Sequence, residues 1–483
     1  MDSLMQTYLD VQHKSLKNDY RYRAKNELRL NRAYAKMLKE EGFLSEADYT
    51  AIDKGLVTSF EKITEKDLAE APSGVDLFFL FEQALYREIG MDTACKLHVG
   101  RSRNDIYFTE WRMSLREAIF ALTEEILELQ KLLERQAAEN METVIPYYTY
   151  GQPAQPGTWG HYLLGIHQAI ENDLTRIKAA YKTVNRCPMG AGAGIGSAFH
   201  LNKHRVAQLL GFDGTIENTL IANSAVDYYL ELEAAISILM TTLERVGFDL
   251  DFFSSAECGI LDGSNQICSG SSIMPQKKNY EMAARIRCGA YPYYGYLQSS
   301  LTAAGSASFF PAFETYLFFD EFWEKLENVI TTIRFLRLSL EQSKIRKDVA
   351  LAKARDGFTA ATHMAEQLTM EIEMPFVKTH HIVGNMIHKL MDEDRLAVEN
   401  MSPEYMKEAS IAAVGFEVDR TQAEIDKMLD PLSSLNAKVT GGTPKPEDGE
   451  KLLKAGREST AETEKWLAQA KRQVENAYAE LDQ

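Results

Sequence analysis

Leu115, Ile119, Leu122, Ile126, Leu129 and Leu133 recur in alternating steps of four and three. A strand would alternate with a period of two, so this spacing is the seam of a helix in a coiled-coil-like bundle. Charged residues such as Glu124, Glu125, Lys131 and Arg135 fill the other faces and read as solvated. The pattern predicts one helix over about 106–142, roughly 55 Å long at ~1.5 Å per residue. Amphipathic spans follow at about 158–183, 222–250, 279–304 and 314–343, and β-like segments are scarce. An all-α chain results, with a central bundle of five long helices over 106–350. An N-terminal domain of short helices (1–105) precedes it, and a C-terminal helical domain (351–483) follows.

The 483 residues are enough for two or three packed units. A formal charge of −17 disfavours general nucleic-acid binding. An anionic substrate would need a local cationic cluster, for which Arg101, Arg103, Lys277 and Lys278 are the candidates. No apolar run is long enough to span a membrane, and the first residues lack the pattern of a signal peptide. The five cysteines include no C-x-x-C pair, which fits reduced thiols in a cytoplasm. His200 and His204 stand four apart without the glutamate of a zinc helix, and the adjacent His380 and His381 point to different faces. No metal is expected.

Three irregular stretches interrupt the helices. Tyr148–Pro156 reads as a loop whose two prolines stop one helix and start the next. Pro188–Ser197 has a glycine rhythm, but no strand precedes it, which argues against a dinucleotide site. Ser269-Gly270-Ser271-Ser272-Ile273-Met274-Pro275-Gln276-Lys277-Lys278-Asn279 gathers hydroxyls, ammonium groups and amides in a loop able to wrap an anion.

That last stretch resembles the Gly-Ser-Ser-x-Met-Pro-x-Lys-x-Asn signature of the fumarase/aspartase superfamily, with every fixed position present from Gly270 to Asn279. His98-Val99-Gly100-Arg101-Ser102-Arg103-Asn104-Asp105 resembles the matching motif of the argininosuccinate lyase branch, and Met374–Gly384 resembles that branch's third domain. The resemblance implies a three-domain helical lyase that assembles as a homotetramer with shared active sites. It also implies β-elimination from a substituted succinate, giving fumarate and a leaving group, with no cofactor. Ser271 would be the general base on a mobile loop, supported by Lys277. Ser102, Arg103, Asn104, Thr149, Gln152, Ser272, Met274 and Asn279 would bind the substrate.

The departures from that family are grouped. Tyr150 stands at the position of the catalytic His, and Ala284 at that of its paired Glu. Ile106 replaces a Gln, and Val226 replaces the Arg of Ser-x-Arg-Asp in Ser224–Asp227. The run Phe309–Asp320 is aromatic where the branch carries polar residues, which suggests a drier leaving-group pocket. The expected function is cleavage of an N-substituted aspartate whose amine is not arginine, with Tyr150 as proton donor. Argininosuccinate lyase proper, a C–O lyase acting on an O-substituted malate, and a non-catalytic structural relative are the alternatives.

Overall fold

A computed structural model describes residues 3–310 and 319–483. α1 (Ser3–Glu40) precedes α2 (Glu46–Lys62) and α3 (Leu77–Ile89). α4 (Arg103–Glu139) leads into a hairpin of β1 (Val144–Thr149) and β2 (Gln152–Thr158). α5 (Trp159–Val184), the short α6 (Lys203–Leu209) and α7 (Thr219–Ser224), and α8 (Asp227–Ser254) come next. β3 (Leu261–Gly263) pairs antiparallel with β4 (Ser343–Ile345), and between them run α9 (Glu281–Ser306) and α10 (Phe319–Glu341). α11 (Lys347–Asp356), α12 (Ala361–Ile372), α13 (Phe376–Asp392) and α14 (Pro403–Val414) precede the final helix, α15 (Pro446–Leu481).

The five long spans expected from periodicity are α4, α5, α8, α9 and α10, and all six seam residues of α4 are buried. Glu124, Lys131 and Arg135 are exposed as expected, whereas Glu125 is bound by Arg334 and Arg337 of α10. α8 begins only at Asp227, because the chain turns at Ala225 after α7.

Two expectations need correction. The N-terminal region is not made only of short helices, since α1 alone has 38 residues. Its buried face carries Arg23, Asn26, Glu27 and Asn31, which are matched by partners such as Glu110, Ser114 and Arg101, so the apolar stripe is broken. Secondly, Tyr148–Pro156 is a hairpin rather than a loop between helices.

A separate core unites Met364, Leu368, Ile382, Met386, Met406 and Ile425 within the 351–483 region. α15 belongs elsewhere: its Leu453, Leu467, Ala470 and Val474 join the core of the long bundle. Buried between α4, α5 and α15, Glu134 accepts from Thr460 and meets His167 Nε2 at 3.1 Å. No described helix is long and apolar enough to cross a membrane.

Candidate active site

At the N-terminal end of α4, Ser102 is the N-cap: its hydroxyl accepts from Asn104 N, and Asp105 reaches back to Ser102 N at 2.9 Å. Arg103 pairs with Asp76 at 2.8 Å, and both side chains are about half exposed. Arg101 is not part of a surface cluster. It is buried, donates to Asn31 Oδ1 at 2.6 Å and lies near the ring of Tyr34. Beside Arg103 and Asn104 a cavity of about 280 Å³ opens, lined also by Asp19, Arg23, Asp76 and Tyr107. Behind it, burial and the neighbouring Glu27 raise the pKa of the Glu110 carboxyl, while Arg23 at 2.8 Å opposes them.

The Gly-rich loop lies against this end. Gly192 N and Gly190 N donate to Asp105 Oδ2 at 2.9 and 3.2 Å, and Gly192 O accepts from Asn223 at 2.6 Å. Gly100, at φ +68°, could not carry a Cβ, which would fall 2.5 Å from Leu201 Cδ1. Backbone approaches backbone closely at Gly192, where a Cβ would lie 3.0 Å from Gly196 O, while Gly100 and Gly190 are packed against side chains.

The opposite end of the bundle carries the β-hairpin. Tyr150 (φ 53°) and Gly151 (φ 74°) make a two-residue turn with both φ positive, the mirror-image form that suits strand twist. Tyr150 is fully exposed, and Thr149 and Gln152 pair across the turn, also exposed. Tyr147 OH meets His161 Nδ1 at 2.6 Å, and Tyr148 stacks edge-on against Phe252 at the end of α8.

The loop with the Gly-Ser-Ser signature stands between β3 and α9, at this same end. Ser269 and Asn279 exchange backbone hydrogen bonds of 2.9 and 2.8 Å, which close its neck. Inside it, Ser271 Oγ accepts from Met274 N at 3.1 Å and from Ile273 N at 3.4 Å. Ser272, Met274 and Lys277 are exposed, and Asn279 is half-buried. Lys278 is tied to Asp262 at 2.9 Å, while Lys277 forms no ion pair with any described residue.

The single chain therefore brings the hairpin and the flap to one end and leaves Ser102, Arg103 and Asn104 at the other. The 37 residues of α4 separate them by about 55 Å. The expected cationic cluster does not form within the chain.

Ala284 is half-buried in the first turns of α9, and Ile106 is buried beside the cavity. Phe309 and Phe310 are exposed, and 311–318 of the expected aromatic pocket lie outside the described residues. His200 is exposed and His204 meets Thr215 at 3.3 Å. Among the described residues no group of three His, Cys, Asp or Glu could hold a metal. Sequence reasoning missed Asp76 and Asp105. The Ser-x-x-Asp capping pattern at 102–105 was the available signal for the second.

Comparison with known proteins identifies the class. The structure superposes on EDDS lyase in complex with formate with a TM-score of 0.87, covering 98% of this chain and 94% of that one at 24% identity. A class II fumarase from Schistosoma mansoni shares the fold at a TM-score of 0.65 and 15% identity, covering 85% of this chain and 90% of that one. A lyase family model matches residues 5–291, and an argininosuccinate lyase C-terminal model matches 358–436. The argininosuccinate lyase of Methanocaldococcus jannaschii is 34% identical over 433 residues, 90% of this chain and 88% of that protein. That of Methanosarcina mazei is 31% identical over 450 residues, 93% and 90% of the two chains.

The chain belongs to the fumarase/aspartase superfamily of lyases, in its argininosuccinate lyase-like branch. It is an enzyme, a lyase of the carbon–nitrogen kind that this branch represents.

Proposed function

We propose that the chain catalyses reversible β-elimination of an N-substituted aspartate, breaking the C–N bond to give fumarate and an amine. The observation that carries the reading is the pair of backbone N–H groups converging on Ser271 Oγ inside an exposed flap. A serine hydroxyl removes a carbon-bound proton only if its alkoxide is stabilised, and hydrogen-bond donors aimed at the oxygen do that. Ser271 takes the Cβ proton, the freed electron pair forms the C=C bond, and the C–N bonding pair leaves with the amine. Tyr150 supplies the proton that the amine needs.

Ser102, Arg103, Asn104 and Thr149 hold one substrate carboxylate, and Lys277 and Asn279 the other, with Gln152, Ser272 and Met274 completing the contacts. Because α4 keeps these groups apart in one chain, the site needs segments from different chains, and we assign a homotetramer. A cytoplasmic setting fits the free thiols of Cys95, Cys187, Cys258, Cys268 and Cys288. The leaving group differs from arginine: Tyr150, Ala284, Ile106 and Val226 replace the polar groups expected of an argininosuccinate lyase.

Whole-length similarity to argininosuccinate lyases favours a second reading, that arginine itself is released. Incubation of fumarate with arginine, other amines and alcohols, followed by the fall in fumarate absorbance, separates the readings. Consumption with non-arginine amines that is lost in Ser271→Ala supports the proposal. Consumption with arginine alone would identify argininosuccinate lyase activity, and consumption with alcohols alone would identify C–O cleavage. No consumption with any partner would overturn the proposed fumarate-forming reaction.

A further inference from the structure

One buried carboxylate at the Arg103 end has more bonds than its place in a helix requires. Asp105 is fully buried. Its Oδ1 accepts from Ser102 N at 2.9 Å, the ordinary work of a capping box. Its Oδ2 accepts from Gly192 N at 2.9 Å and from Gly190 N at 3.2 Å, across to a different segment of chain. Gly192 O in turn accepts from Asn223, just before α8. Two segments separated in sequence thus converge on one anion, and α7 ties the second of them from behind through Asn223.

We propose that Asp105, in its ionised form, is a positioning residue that clamps the Gly190–Gly192 loop onto the N-terminus of α4 and so shapes the carboxylate cradle of the substrate site. This rests on the proposed placement of a substrate carboxylate at Ser102–Asn104.

Three N–H donors and no described hydroxyl face the carboxylate, so protonation would remove an acceptor and turn one oxygen into a donor among donors. Burial pushes the Asp105 pKa up to about 6, against the pull of the three amides and of Arg101. The other groups around it are Tyr34 of α1, whose hydroxyl donates to Val99 O, and the Cys187 thiol before the loop, which burial pushes up to about 12. Both stay neutral around pH 6, and Arg101 stays charged. His98, its pKa lowered by burial and by Arg101, and Glu110 at the cavity, its pKa raised by burial and Glu27, are further titrating groups nearby. The Asp105→Asn variant is therefore what isolates the Asp105 contribution. Glycine is required at the far side of the clamp: at 192, φ is +58° and a Cβ would lie 3.0 Å from Gly196 O.

The test combines two measurements on the full chain. Calorimetric titration with fumarate from about pH 8 to about pH 5 reads the cradle, since fumarate stays mostly a dianion there. Amide hydrogen exchange across 188–197 reads the clamp. The wild-type affinity is expected to fall about tenfold between pH 7 and pH 5, and the part of that fall owed to Asp105 is the part that Asp105→Asn removes. Asp105→Asn is expected to bind weakly at every pH, with a flatter profile than wild type, and to exchange faster in the loop. Gly192→Ala, which leaves the carboxylate in place, should weaken binding as well. An Asp105→Asn protein with wild-type exchange and wild-type affinity overturns the proposal. A wild type that binds no fumarate overturns the placement of the substrate instead, and the exchange measurement still decides the clamp.

Discussion

A tyrosine at φ 53° sits in the left-handed region, which costs an L-residue roughly 1–2 kcal/mol and is usually left to glycine or asparagine. Tyr150 occupies it at the hairpin tip with its ring in solvent. Tyr150→Asn should therefore raise thermal stability slightly, by about 1 kcal/mol, while removing turnover. Tyr150→Phe should leave the unfolding midpoint unchanged yet slow the elimination about 10²-fold or more, the usual share of a general acid. Full turnover in the phenylalanine variant would remove Tyr150 from the mechanism. Glu233, deep between α8 and α9, sets a second residue-scale outcome. Burial raises its pKa from 4.5 to about 8, and Ser300 and Tyr296 offset only part of that. The folded state holds the proton more tightly than the unfolded chain. This contribution is therefore complete below the unfolded value and is lost as pH rises from about 4.5 through 8. Glu233→Gln should resist that loss, showing a higher denaturant midpoint than wild type at alkaline pH and little difference in mild acid.

At the scale of elements, the last turn of α15 is gripped by α1 and α6. Arg32 Nη2 donates to Leu481 O at 2.7 Å, and Lys36 and Arg205 reach Glu480. Cations at the carbonyl end of a helix satisfy its orphan acceptors and oppose its dipole. Tyr478 OH accepts from the buried Arg116 at 2.8 Å, so Tyr478→Phe should cost about 1–3 kcal/mol by leaving a guanidinium N–H unpaired. Chemical denaturation would show it as a lower midpoint with unchanged slope. Elements were legible where apolar periodicity was clean, as in the α4 seam, and where caps were written locally, as at Ser45 and Ser102. α1 was hidden because its inward face is partly charged, and charge pairing across helices leaves no periodic trace in one segment. The hairpin was hidden because Pro153 and Pro156 read as breakers, although prolines are tolerated in a two-stranded ribbon with free edges. Asp105 was legible as a cap but not as a clamp, since Gly190 and Gly192 lie some 85 residues onward.

For the whole molecule, the length of α4 decides the argument about assembly. An Arg103→Ala chain keeps an intact flap, and a Ser271→Ala chain keeps an intact α4 terminus. Mixing the two after partial denaturation and refolding should return measurable turnover that neither homo-oligomer shows. No recovery would mean that each chain carries a complete site of its own. Sedimentation of the wild type should give a single species near four times the 54.6 kDa chain mass.

α15 also bears on how the protein is made. Its residues complete the walls of both the long bundle and the N-terminal core, through Leu467, Val474 and Leu481, yet they are translated long after α4 and α5. While the ribosome still holds this helix in its exit tunnel, the apolar sides of α4 and α5 have no lid. The nascent polypeptide must therefore stay collapsed but unfinished until α15 emerges, exposed to chaperones in that interval. A stop codon placed just before Pro446 would leave a product in which all the preceding helices are present and the two cores still cannot close.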